Sequence, residues 1–204
     1  MVGASYLLAS WVKKALFFGL ALFLGVSLFS GGSVAAESDG TLSEQDRRSL
    51  EIAFSLLANS LGAEAELKWL AIFKKLTLQG PAEQVEAIMK QIQEASDSRA
   101  KEFKTLRKLA PAVTRKPPPS PMGDAIEAAA QEAGTQELIF ASGVFNIRFL
   151  FLQAQATRMI SVVAEQAAKV DPNEERSRWL REVSSQFENF RDDLVEIAKL
   201  CSIK

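Results

Sequence analysis

The chain has 204 residues, of which 48% are hydrophobic and 24% are charged, as expected for one globular domain with a short targeting or membrane element. It contains no histidine and a single cysteine. Without imidazole, the chain cannot form a Ser-His-Asp triad, a Cys-His pair or a histidine-based zinc or haem site. We therefore predict a protein that is not an enzyme and that holds no cofactor or metal.

The net charge of −1 hides a difference between the N-terminus and the rest of the chain. Residues 1–36 contain Lys13 and Lys14 and no acid, which leaves 22 basic and 25 acidic residues downstream. This nearly balanced charge gives no general attraction to nucleic acid, so we expect no nucleic-acid partner.

Residues 1–36 have the order of a secretory signal. Lys13 and Lys14 precede an apolar run, and small residues follow it up to Ala36, just before the acidic Glu37. We expect cleavage after Ala36. The alternative is a retained membrane anchor, because residues 15–36 are 22 consecutive uncharged residues and a membrane span needs about 20. Both interpretations export the remainder, to the periplasm or an equivalent compartment, and we favour cleavage.

Residues 41–110 form the first helical half of the exported domain. Ser43 and Asp46 predict a capped helix start, and an apolar stripe follows at helical spacing. We expect this helix to break at Gly62 and a second helix to occupy 63–78. The stripe consists of Leu50, Phe54, Leu57 and Leu61.

A third helix is predicted from about Pro81 to Pro111, because proline favours the first helical position and cannot continue a helix from within. Its apolar pattern is interrupted at Arg99. Residues 111–122 are rich in proline and predict an extended, stiff linker. A docking site for an SH3-type domain is the alternative, but an exported segment would rarely meet one.

Residues 123–204 form the second helical half. A long helix is predicted to end near Lys169, with an irregularity at Gly134-Thr135, and its first half is apolar all round. Such a helix is either central in a bundle or in contact with a membrane. A membrane span at 138–152 is disfavoured because that run is short and contains Arg148.

The last helix follows Asp171, which we predict as its N-cap, with Pro172 at the first helical position and Glu174 two residues later. An apolar stripe runs along this helix, and the single cysteine lies on it, which favours an inert, buried thiol. The stripe consists of Trp179, Val183, Phe187, Phe190, Leu194, Ile197 and Cys201.

These elements predict an all-α fold, an antiparallel bundle of four to five helices that follows an N-terminal signal or anchor helix. No segment of any length has the alternating pattern of a β-strand.

Two groups of side chains are candidates for contacts. A basic group could bind anionic lipid head groups or an acidic partner, although basic residues at the end of a helix, facing the acidic last helix, would also account for it. An aromatic group could line an apolar pocket. The basic group is Arg99, Lys101, Lys104, Arg107, Lys108, Arg115 and Lys116. The aromatic group is Phe140, Phe145, Phe149, Phe151 and Trp179.

Three functions are compatible with these features. The leading hypothesis is an exported accessory or scaffolding subunit, which acts by contact with other subunits of a membrane-associated assembly. The second is a helical module that binds an apolar ligand or lipid. The third is a hydrolase that uses two carboxylates, which would require two neighbouring buried acids.

Overall fold

The computed structural model describes residues 42–65, 82–114 and 145–202, with the side chains described up to residue 200. These residues form four α-helices and no strand, so the predicted all-α fold is confirmed for this part of the chain. The helices are α1 (Glu44–Ala65), α2 (Glu83–Leu106), α3 (Phe145–Val170) and α4 (Glu174–Ser202). The predicted signal or anchor at 1–36 lies outside the described residues, as do most of the predicted helix 63–78, most of the linker 111–122 and residues 123–144.

Side-chain pairs give the directions of α3 and α4. The hydroxyls of Ser161 and Ser184 are 3.1 Å apart, and Arg158 Nη1 lies 2.7 Å from Glu188 Oε2. The residue numbers fall along α3 as they rise along α4, so the two helices are antiparallel. They form the most extensive helix pair of the bundle.

The other two helices complete the bundle. On α2, Arg99 Nε donates to Gln186 Oε1 of α4 at 2.8 Å, and Glu102 accepts from Trp179 Nε1 at 2.6 Å. Helix α1 packs against α2 and α3. The bundle is therefore ordered α1, α2, α4, α3 around its core, and α2 and α3 each run antiparallel to α4.

The core has two clusters. The first core cluster draws on all four helices and includes the predicted stripe of α1, Phe103 of α2 and Phe187 of α4. The second core cluster joins the first turns of α2 and α3 to the last turns of α4. The stripe of α1 is confirmed in full, because its four residues are all buried.

The predicted break at Gly62 is wrong, since α1 continues to Ala65. One glycine inside a helix costs about 1 kcal/mol relative to alanine, which neighbouring burial readily offsets. Here Leu61, Ala63 and Glu64 are all buried around Gly62. Packing of the flanking residues therefore overrides the local preference for a break.

The predicted helix starts have two outcomes. The cap at Ser43 is confirmed, because its hydroxyl accepts from the backbone N–H of Asp46 at 3.0 Å. The cap predicted at Asp171 is wrong, since α4 begins after Asn173, whose side-chain oxygen accepts from the N–H of Arg176 at 2.9 Å. Proline at position 172 therefore precedes the helix.

Helix α2 is continuous through Arg99, as predicted for one long helix, but it ends at Leu106, earlier than the predicted end at Pro111. No helix within the described residues is both long and apolar enough to cross a membrane.

Candidate functional site

An open groove of about 500 Å³ lies between α3 and α4 on the outside of the bundle. Its charges balance: Arg158 and Arg181 face it together with Glu165 and Glu188. The hydrogen bond from Arg158, aided by its positive charge, lowers the pKa of Glu188 below the usual range of a glutamate. This groove is therefore a polar surface that contains the Arg158–Glu188 ion pair and has little net charge.

Exposed apolar side chains lie where α3 begins and α4 ends. Ile147 is 47% exposed, Phe151 is 63% exposed and Leu200 is 58% exposed. Ile147 and Phe151 share one face of α3 because they are four residues apart, and Arg158 follows on that face seven residues later. The antiparallel pairing of the two helices brings Leu200 to the same end. We call the groove and these three residues the α3–α4 outer face.

The described members of the basic group differ in their exposure and in their partners. Arg99 is largely buried, and its guanidinium contacts Glu102 at 2.9 Å and Glu182 at 3.7 Å. Lys101 pairs with Asp97 at 2.7 Å within α2, while Lys104 is exposed. Arg115 and Lys116 lie outside the described residues.

The end of α2 holds the remaining described members of the basic group. Arg107 is the C-terminal cap residue of α2 and is half-buried, while Lys108 is exposed in the turn that follows. Partial burial acts to raise the pKa of Glu102, but hydrogen bonds from Trp179 and Arg99 outweigh it, so that this pKa is lowered. Arg99, the first member of the group, thus serves contacts within the bundle, as does Glu102.

The aromatic group does not line one cavity in the described part of the chain. Phe145 and Phe149 stack in the second core cluster with ring centroids 5.7 Å apart, whereas Trp179 stacks on Phe103 in the first. Phe151 faces away from both clusters. Phe140 lies outside the described residues.

A buried arginine that the sequence patterns did not single out joins three parts of the bundle. The side chain of Arg176 is 0% exposed and forms two hydrogen bonds with Asp171, at 2.5 and 2.7 Å. Its Nη1 also donates to the carbonyl oxygens of Leu109 and Pro111, at 3.0 and 2.9 Å. The guanidinium lies 5.4 Å from the ring centroid of Phe54 on α1. Arg176 thus connects the start of α4, the turn after α2 and helix α1.

A periodicity signal for Arg176 is present in the sequence. Steps of four, three and four residues back from Phe187 lead through Val183 and Leu180 to position 176. Because a stripe is recognised by its apolar residues, it does not reveal an arginine at the next core position. Asp171 Oδ1 also accepts from the backbone N–H of Asn173 at 2.9 Å, in the turn just before α4.

A second buried charge-bearing residue is Glu64, in the last turn of α1. It is 3% exposed, and its described polar partner is Gln153 of α3. Burial raises the pKa of Glu64 to about 8, against the hydrogen bond with Gln153, which lowers it.

The two-carboxylate hydrolase hypothesis would need neighbouring buried acids. In the described residues the buried acids are Glu64 and Asp171, and they have separate partners, Gln153 and Arg176. Nor does any set of three or more Cys, Asp or Glu side chains in residues 42–65, 82–114 and 145–202 have an arrangement that could hold a metal ion.

Comparison with family models, with curated proteins and with solved structures finds no match to this chain. The chain's own residues are therefore the basis of the functional proposal.

Proposed function

We propose that this chain is an exported, non-enzymatic helical-bundle protein that acts by contact, as an accessory or scaffolding subunit of a membrane-associated assembly. The observation that carries the proposal is the cluster of exposed apolar side chains on the α3–α4 outer face, with Phe151 63% exposed. Aromatic residues exposed at a surface are enriched in protein contacts, where a large rigid side chain buries much area.

The groove beside this cluster supports a protein partner. It presents two arginines, two glutamates and several hydroxyl groups, so its charge would not attract a polyanion. A protein surface with an apolar centre and a mixed polar rim would match the outer face, since stable interfaces combine these two regions.

The N-terminal residues 1–36 support the location. As a signal they would release a free domain, and as an anchor they would hold it at the membrane, where tethering raises its effective concentration near a partner. Other subunits, membrane-associated themselves, are the partners that fit both interpretations.

The test is purification of a tagged chain from membranes of its native host at near-native expression. We expect defined partners at constant stoichiometry with the unchanged chain and with Ile52→Ser, a control that removes an exposed apolar residue from α1. Phe151→Ser should lose these partners while the free energy of unfolding stays within about 0.5 kcal/mol, as is usual for exposed sites.

Two results would contradict the proposal. One is recovery of every variant, including the unchanged chain, as a free monomer. The other is equal partner recovery with Phe151→Ser and Ile52→Ser, which would show that the outer face is not where the partner binds.

A further inference from the structure

A pair of buried polar side chains connects α1 to α3. Glu64 and Gln153 are 3% and 5% exposed, and they interact through a hydrogen bond. Their position is outside the α3–α4 outer face, so this pair is independent of the proposed contact surface.

If Glu64 is ionised, this pair contains two buried oxygens that receive no hydrogen bond. Glu64 Oε2 and Gln153 Oε1 are both buried without a partner. A carboxylate oxygen and an amide oxygen are both acceptors, so neither can satisfy the other. A buried acceptor without a partner costs about 1–3 kcal/mol, and more if it is charged.

A proton on the Glu64 carboxyl would give both of these oxygens a hydrogen-bond partner. A protonated carboxyl has one O–H donor, which an amide oxygen can accept, while the amide N–H₂ donates to the other carboxyl oxygen. The acid and the amide are then joined by two hydrogen bonds, and no charge is buried.

Within residues 42–65, 82–114 and 145–202, no charged group acts as a counter-ion for Glu64. Helix α1 packs against α2 and α3, and no charged group of either helix contributes to the raised pKa of Glu64, which reflects burial. By register, the nearest charged positions on those helices are Lys90, Glu94, Asp97, Arg148 and Arg158. Lys90 pairs with Glu94, Asp97 with Lys101 and Arg158 with Glu188.

We propose that Glu64 is protonated in the folded protein and donates to Gln153, so that the α1–α3 junction is a pH-sensitive switch that loosens when this proton is lost. The sign follows from the direction of the shift. Folding favours the protonated form, so the contribution to stability is full below pH 4.5, falls as the pH rises towards 8 and is constant above it.

The direct test is a pH titration of the full chain with ¹³C-labelled glutamate side chains, followed by NMR. We expect one carboxyl to titrate near pH 8, and its signal to be absent in Glu64→Gln. An ordinary titration of Glu64, below pH 5, would overturn the proposal.

The second test is urea unfolding between pH 5 and pH 9, followed by circular dichroism. Gln reproduces the protonated acid, so Glu64→Gln should match the unchanged chain at pH 5 and be more stable at pH 9. A shift from 4.5 to about 8 corresponds to as much as about a 10³-fold difference in the unfolding constant.

The matched control is Glu94→Gln, whose carboxyl is 62% exposed on α2. The free energy of unfolding of Glu94→Gln should change with pH in the same way as that of the unchanged chain. If the free energy of unfolding of Glu64→Gln also changes with pH in the same way as that of the unchanged chain, the switch does not exist. If Glu64→Gln fails to fold, the NMR titration of the unchanged chain still decides the question.

Discussion

At the residue scale, the buried Arg176 joins parts of the chain that are distant in sequence. Its Nε and Nη2 donate to the two carboxylate oxygens of Asp171. Its Nη1 donates to two carbonyl oxygens of the turn after α2. The planar fork of arginine makes this combination possible, whereas the ammonium of lysine is a single point charge. The site therefore fixes how the end of α2 meets the start of α4.

Asn173 adds to the same junction. Its side-chain nitrogen donates to the carbonyl of Ala110 at 2.9 Å, and its oxygen caps α4. Together, Asn173 and Arg176 bind the carbonyls of three successive residues, Leu109, Ala110 and Pro111.

We expect Arg176→Ala to lower the free energy of unfolding by about 3–5 kcal/mol, because it leaves the Asp171 carboxylate buried without its partner. Urea unfolding followed by circular dichroism measures this change. The free energy of unfolding of Arg176→Lys should lie between those of the unchanged chain and Arg176→Ala, since lysine keeps the charge but loses the paired hydrogen bonds.

Arg178→Ala is the matched control, because Arg178 is exposed two residues further along α4. It should change the free energy of unfolding by less than about 0.5 kcal/mol. Similar losses from Arg176→Ala and Arg178→Ala would show that the buried pair does not stabilise the fold.

At the scale of the element, α1 shows how packing can keep a segment helical against its local preference. Its first turns are held by the Ser43 cap and by Arg47, which binds Glu44 at 2.8 Å and Glu51 at 2.5 Å. Its last turns contain Gly62, which local preference would place at a helix end. Burial of the neighbours on both sides of the glycine keeps the segment helical.

We expect Gly62→Ala to raise the free energy of unfolding by about 0.5–1 kcal/mol, because alanine restricts the unfolded chain and suits a helix interior. An added Cβ at this position meets no atom within 4 Å, so no clash offsets the gain. Thermal and urea unfolding both measure the change.

Gly62→Pro provides the opposite control and should destabilise the protein by about 3 kcal/mol or more, as proline does inside a helix. A loss of stability in Gly62→Ala would contradict an uninterrupted α1. It would instead indicate a left-handed cap at Gly62, where alanine is strained.

Helix α3 has a wide buried face. Met159 and Val163 are half-buried, whereas Ile160 and Ala164 are fully buried. Because α3 packs against both α1 and α4, its buried face spans two directions. Small residues such as Ala156 and Ser161 on this face allow close approach of the neighbouring helices.

At the scale of the whole molecule, the N-terminal 36 residues are central to the proposed function. Cleavage after Ala36 would separate the bundle from the membrane, and retention would tether it. We expect intact-mass measurement of the protein from its native host to show a chain that begins at Glu37. A small residue directly before the cleavage site is part of the signal pattern.

Ala36→Tyr should therefore block cleavage and retain the full-length chain in the membrane fraction. A control substitution on the other side of the site, Ser38→Ala, should be processed normally. Detection of intact residues 1–36 in the unchanged chain would contradict cleavage and favour the anchor.

The sequence by itself determined the helical class, the core stripe of α1 and the apolar face of α4, because burial of a helix face imposes a 3.6-residue period that can be read directly. Leu50, Phe54 and Phe187 are examples, each 0% exposed. It also determined the Ser43 cap, since capping depends on residues within one turn.

Only the tertiary structure decided which polar residues are buried and which apolar ones are exposed. Arg176, Glu64 and Gln153 are buried because residues distant in sequence surround them, and Phe151 is exposed because no described helix covers its face. Local periodicity cannot identify a partner 49 or 67 residues away, as for Phe54 and Phe103 or for Leu109 and Arg176, so such contacts follow from the packing of the bundle alone.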